Sequence, residues 1–238
     1  MSNVVSHGIK IELDKKQYNA IVAAMNNING RSAEFVISHG SNTAAKKIQK
    51  LLSNQVKGVY QAPWAAGVYG RSSITKGNVR NVGAVIHFKS ELPDITKFKY
   101  HPASTPTTFA KNPPYKLHKL QVRKSPGSKE RITIYRMLGP QKKYNVSISQ
   151  LKGSTRHLQN AFVTQFDSGH IAVGFRNKQG TTRKKYNGRL PITKVLGSSD
   201  MIMASNEKTY GAVEQDIEQI VLSEVMAQFN KAMSKAIS

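Results

Sequence analysis

The sequence predicts an α+β protein with N-terminal helices, a central antiparallel β-sheet carrying long basic loops, and a long amphipathic C-terminal helix. Three observations predict it. Apolar residues recur at helical spacing near both ends of the 238-residue chain, the spacing falls to two between residues 82 and 175, and Pro, Gly and Ser punctuate the alternating runs.

The first helix is expected over residues 14–28, where Tyr18, Ile21, Val22, Met25 and Ile28 fall on one face. A second helical stretch follows Asn29-Gly30. It either runs straight from residue 31 to 56 or restarts at Ser41 and Asn42, whose side chains suit an N-cap, and His39-Gly40 is the joint between the two readings. Ala84, Ile86 and Phe88 then alternate with Val85 and His87. Residues 117–122, the pair Ile132 and Ile134, and the trio Tyr144, Val146 and Ile148 behave alike and read as strands of an antiparallel sheet. The clearest hairpin is AFVTQF-DSG-HIAVGF, with Ile171, Val173 and Phe175 on one face. The last helix is expected from about residue 207 to 236. It carries Val213, Ile217, Ile220, Val221, Val225, Phe229 and Met233 on one stripe, with acids crowding its first half and Lys231 and Lys235 near its end, as the helix dipole favours. These elements are expected to form one domain over 1–238: a helical part at 1–60, a β-rich basic part at 80–190 with an enlarged segment at 103–155, and the C-terminal helix at 205–238.

Charge is unevenly spread. The net charge is +23, and between residues 71 and 194 there are 25 Lys and Arg against Glu91, Asp94, Glu130 and Asp167. A field of that sign implies a polyanionic neighbour, most simply nucleic acid, or an acidic protein surface; the plainer alternative is a solvated basic surface. There are no cysteines, so disulfides and thiolate metal sites are excluded. No membrane span and no secretory leader are expected, for want of a long apolar run.

Catalytic chemistry finds little support. Seven histidines lie apart at 7, 39, 87, 101, 118, 157 and 170, so no metal and no other cofactor is expected. Acids are too few for paired carboxylates, and those of the basic middle, Asp94 among them, read as solvated groups in local charge balance. GVYGRSSITKG at 67–77 lacks the spacing of a phosphate-binding loop. The chain is therefore not expected to be an enzyme. Basic clusters remain as candidate contacts for DNA or an acidic partner: Arg123 and Lys124, Lys142 and Lys143, and above all Arg183, Lys184, Lys185 and Arg189, where flexible cations suit phosphates as well as they suit solvent. No helix reads as markedly basic on one face, so base-specific recognition is not expected.

One stretch, NGRLPITKVLGSSDMI at 187–202, sets Pro191 and Gly197 around a short apolar run. Pro fixes one torsion and Gly permits a turn, so Leu190, Ile192 and Leu196 make a stiff apolar elbow. The elbow serves either a subunit interface or the chain's own core. Its surroundings carry a resemblance. Ala161-Phe162, Ser168-Gly169-His170, Val173-Gly174-Phe175-Arg176, then Arg189-Leu190-Pro191-Ile192 and Gly197, ahead of an amphipathic helix, resemble the phage minor tail protein Z family. That family runs from a "GAF" strand through "SGH.GVF.R" to "RLPI..LYGPS". The match covers roughly residues 161–238 and is weaker in the early helices and in ITKFKYHP at 95–102. Leu196 stands where the family has an aromatic, and Ser198 where it has Pro.

The resemblance implies a structural virion protein of a long-tailed phage, a tail-completion or neck component at the head-proximal end of the tail. It implies a homo-oligomeric ring, often sixfold, around the DNA channel, with head-completion (stopper) and tail terminator or tube proteins as neighbours. It also implies residence in the virion, with assembly in the host cytoplasm. The competing expectation is a non-specific nucleic-acid-binding protein.

Overall fold

The computed structural model describes residues 2–5, 8–26, 32–101, 117–123, 129, 131–137, 146–158, 161–165, 170–176 and 192–237. The fold is α+β, as the sequence predicts. The chain divides into two compact units, Met1–Leu92 with Ser198–Ser238, and Pro93–Gly197. The two boundaries, at 92/93 and 197/198, are marked by no change in composition.

The larger unit is built around one helix. Strands β1 (Ser2–Val5), β2 (Gly8–Ile11), β3 (Ser73–Thr75) and β4 (Ala84–His87) form an antiparallel sheet in the order β1-β2-β4-β3. Its register sets Ile9 opposite Ile86 and Ile11 opposite Ala84, and these four side chains are buried. Against them packs α2 (Ala33–Val59), whose Ala44, Ala45, Ile48, Leu52 and Val56 are fully buried. Helix α2 is continuous, which decides between the two sequence readings. Ser32 caps it by accepting the Phe35 N–H, and Asn42 is no cap: its amide bonds both backbone groups of Gly77. Helix α1 (Lys15–Met25) is capped by Asp14, which accepts the Lys16 and Gln17 N–H groups at 2.8 and 2.9 Å.

Gly40 has a reason to sit inside α2. A Cβ there would lie 2.6 Å from Cα of Val225 on the C-terminal helix, so the two backbones meet at a distance only glycine allows. That helix, α5 (Glu214–Ile237), starts later than the sequence predicts. Residues 206–210 turn instead, with Asn206 accepting the Lys208 N–H and Thr209 Oγ1 directed at the backbone carbonyls of Met203, Ala204 and Asn206. A short helix precedes the turn: α4 (Asp200–Ser205), capped by Ser199. Between α2 and β3 lies α3 (Val68–Arg71). Of the C-terminal stripe, Val213, Ile217, Val221 and Val225 are buried, and Ile220, Phe229 and Met233 are half-buried.

The smaller unit corrects the expectation of one central sheet. Its strands are antiparallel throughout but divide among β5-β8-β9 (Lys99–His101, Val146–Ser149, Arg156–Leu158), β6-β7 (Leu117–Arg123, Arg131–Met137) and β10-β11-β12 (Ala161–Gln165, Ile171–Arg176, Ile192–Lys194). The strand at 84–87, expected in that sheet, belongs to the larger unit instead. Alternation shows that a segment is extended and half-buried; it carries no information about its partner. The strands of the AFVTQF/HIAVGF hairpin pair as read, Ala161 with Phe175 and Gln165 with Ile171, while its turn at 166–169 lies outside the described residues. On the face expected for it, Val173 is buried, Ile171 half-buried and Phe175 41 % exposed.

Candidate functional site

The elbow is where sequence and geometry meet most fully. Strand β12 lies on β11, with Ile192 opposite Arg176 and Lys194 opposite Gly174. Beyond it the Val195 N–H still donates to the Val173 carbonyl of β11 (2.8 Å), and the chain is laced to the segment at 93–98 by the Ile95 N–H donating to the Val195 carbonyl (3.2 Å) and the Gly197 N–H to the Pro93 carbonyl (2.7 Å). Leu196 and Asp94 bridge as an antiparallel pair. Gly197 is buried under Phe98, whose ring occupies the place an added Cβ would need. The result is a fixed backbone that presents an apolar side chain to solvent: Leu196 is 46 % exposed, while Ile192 is half-buried.

Leu190 and Pro191 lie outside the described residues, as do Arg183, Lys184, Lys185 and Arg189 of the basic loop. Lys142 lies outside the described residues, and Lys143 lies outside them too. Of the lesser cluster, Arg123 ends β6 and Lys124 falls outside.

Beside the elbow, Asp94 holds two segments at once. One carboxylate oxygen accepts from Thr96 N–H and Oγ1, capping the short helical turn Ile95–Lys97, and the other is 2.9 Å from His170 Nε2 at the start of β11. Burial raises the Tyr100 phenol above its ordinary range, and the charge of Asp94 adds to the rise. Asp94 is thus more than the solvated acid the sequence suggests. Its pairing with a histidine 76 positions away has no local signal.

A second aspartate acts in the larger unit. Asp200 is 1 % exposed and takes a bidentate fork from Arg71, at 2.7 and 2.8 Å. The same guanidinium donates to the Trp64 carbonyl and lies 3.8 Å from the centroid of the Trp64 ring. This joins α3 to the start of α4 and is a structural tie, with its charges already matched.

Two further features are not among the residues expected at a site. A cavity of about 420 Å³ opens beside the start of α1, lined by Glu12, Leu13, Asp14, Lys15, Tyr18, Ile37, Ser41 and Val82. Its carboxylates are committed, Glu12 to Lys10 and Asp14 to the helix cap. The other feature corrects the expectation that no helix is basic on one face: on α2 from Gly40 onward, the exposed residues are Lys46, Lys47, Lys50, Asn54, Lys57 and Gly58. The spacing is legible in the sequence, but a search for dense basic runs passes over lysines separated by apolar residues. Among the described residues no group of three or more His, Cys, Asp or Glu could hold a metal ion, and no helix is long and apolar enough to cross a membrane.

No protein-family model matches the chain, and neither a curated protein nor a solved structure matches it.

Proposed function

We propose that this protein is a structural component of a long-tailed bacteriophage virion: a tail-completion or neck protein at the head-proximal end of the tail, forming a homo-oligomeric ring that takes part in head–tail joining around the DNA channel. The observation that carries the reading is the elbow. The stretch whose residues resemble the phage family ends in a backbone tied down on two sides, with Leu196 held out at 46 % exposure. An apolar group already fixed in place loses little conformational entropy when a neighbouring subunit covers it, so the geometry suits docking. Assembly then works by shape and charge, with no reaction. The basic loop with Arg183, Lys184, Lys185 and Arg189, together with Lys142 and Lys143, faces DNA in the channel or acidic surfaces of neck and tail proteins.

The test is Leu196→Asp in the full chain. An exposed substitution changes folding stability by less than about 0.5 kcal/mol, so the expected product is a folded protein that no longer forms rings or enters tails. Ring formation and tail incorporation at the wild-type level would remove the elbow from the interface. Cryo-electron microscopy of virions at the head–tail junction tests the larger claim, because absence of this chain from the neck would overturn it.

A second reading, a non-specific nucleic-acid-binding protein, is favoured by one observation, the lysines along the exposed face of α2. A monomer that binds free duplex and never enters virions is the outcome that would select it.

A further inference from the structure

The lysines of α2 form an ordered array. Lys46 and Lys50 are one turn apart and Lys57 lies two turns further, a row of about 17 Å at the helical rise. The last acid on α2 is Glu34, in its first turn. Lys47, beside the row, pairs its ammonium with Glu224 of α5. Lys46 and Lys50 have no carboxylate partner among the described residues. The loop after β3 adds to the row, because the amide of Asn42, one turn before Lys46, grips the backbone N–H and carbonyl of Gly77 at 2.8 and 3.0 Å. Lys76 and Arg80 in this loop are exposed, and Asn78 holds its turn by accepting the Arg80 and Asn81 N–H groups.

The surroundings select the ligand. No large apolar side chain is exposed on α2 beyond Gly40, and in the loop Val79 is a single exposed aliphatic group, less than the cluster of anchors on which a protein partner would depend. The exposed rings of α2, His39 and Phe35, lie two and three turns before Lys46 and stack on each other, outside the row of cations. The helical row is a straight line of cations flanked by the two cations of the loop, suited to a run of phosphates. We propose that Lys46, Lys50, Lys76 and Arg80 bind the sugar–phosphate backbone of duplex DNA without reading its bases. These residues are other than those of the 183–189 cluster, and the proposal does not rest on the assembly reading.

The experiment uses the full chain and a mixed-sequence duplex, with affinity followed against salt. The variant carries Lys46→Gln, Lys50→Gln, Lys76→Gln and Arg80→Gln, changes that keep helix propensity. A control carries Lys16→Gln, Lys97→Gln, Lys208→Gln and Lys231→Gln, the same charge change at exposed positions elsewhere. Each phosphate contact contributes about 0.9 to the log–log salt slope, so with four contacts removed the slope falls by about 3.6 and affinity by at least about tenfold in the variant, with a slope change under about 1 in the control. Equal losses in both proteins, or no loss in the variant, would overturn the proposal. So would tighter binding of single strands, or polyglutamate binding as tightly with the same dependence on these residues. Amine acylation of the wild-type protein tests it without a variant: duplex DNA protects Lys46 and Lys50 and leaves Lys16 and Lys208 reactive, and uniform or absent protection overturns it.

Discussion

Each unit is tied together by an aspartate that reaches a distant part of the chain, and the two ties differ in how much water they meet. Asp200 of the larger unit is 1 % exposed, held bidentately by Arg71, with Trp64 stacked on the guanidinium. Asp94 of the smaller unit has a side chain 11 % exposed and pairs with a His170 that is 44 % exposed. The chemistry is similar and the energetics are not. A buried carboxylate that loses its cation keeps its desolvation penalty, whereas a partly solvated pair is screened and its loss is softened by water.

Removing only one member of the buried tie gives the largest effect. Arg71→Met strands a buried charge and is expected to destabilise the protein by about 3 kcal/mol, at the low end for buried pairs because the arginine is partly solvated. Arg71→Met with Asp200→Leu should recover much of that loss, since two apolar groups replace the pair. Denaturant melts of the single and double variants decide the point. A double variant no more stable than the single would mean that the fork itself, and not the stranded charge, sets the cost.

Next is a contact in which the obstacle is backbone. Gly40→Ala gains about 1 kcal/mol of helix propensity but brings Cβ to 2.6 Å from Cα of Val225, so α2 and α5 must part; a net loss of about 2 kcal/mol is expected. A variant as stable as the wild type would show that this helix pair is not tightly packed at Gly40.

The smallest effects belong to the exposed tie. Asp94→Asn should cost about 1 kcal/mol, for a weakened cap and a screened pair. It should also move one tyrosine and not another. Tyr60 and Tyr100 both titrate above the ordinary tyrosine value of 10.0, each chiefly through burial, and only Tyr100 feels Asp94. The fold favours the neutral phenols. Their stabilisation is therefore present below pH 10 and is lost as pH rises through the folded-state values. In Asp94→Asn, tyrosinate absorbance should show Tyr100 ionising at lower pH with Tyr60 unmoved. Equal movement of both would mean that the substitution had loosened the fold generally.

What was legible in the sequence was what neighbours in the chain dictate. Asp14 ahead of a helical stripe marked the start of α1, the spacing of Val213, Ile217, Val221 and Val225 marked the buried face of α5, and AFVTQF/HIAVGF carried its own hairpin register. The elbow was legible as a stiff apolar turn, and only the structure ties its last residues to the segment at 93–98 and leaves Leu196 outward. The row of lysines was written in the spacing of Lys46, Lys50 and Lys57, yet that the neighbouring Lys47 is taken by Glu224, 177 positions away, was not. Strands β1 and β2 are too short for a period to declare them, and their place comes from pairing with β4. The physical reason is the same in each case. Helical and hairpin preferences are set within a few residues by backbone sterics, capping and periodicity. Which strand pairs with which, and which aspartate meets which cation, depends on contacts between residues far apart in the chain, and those are decided when the elements pack.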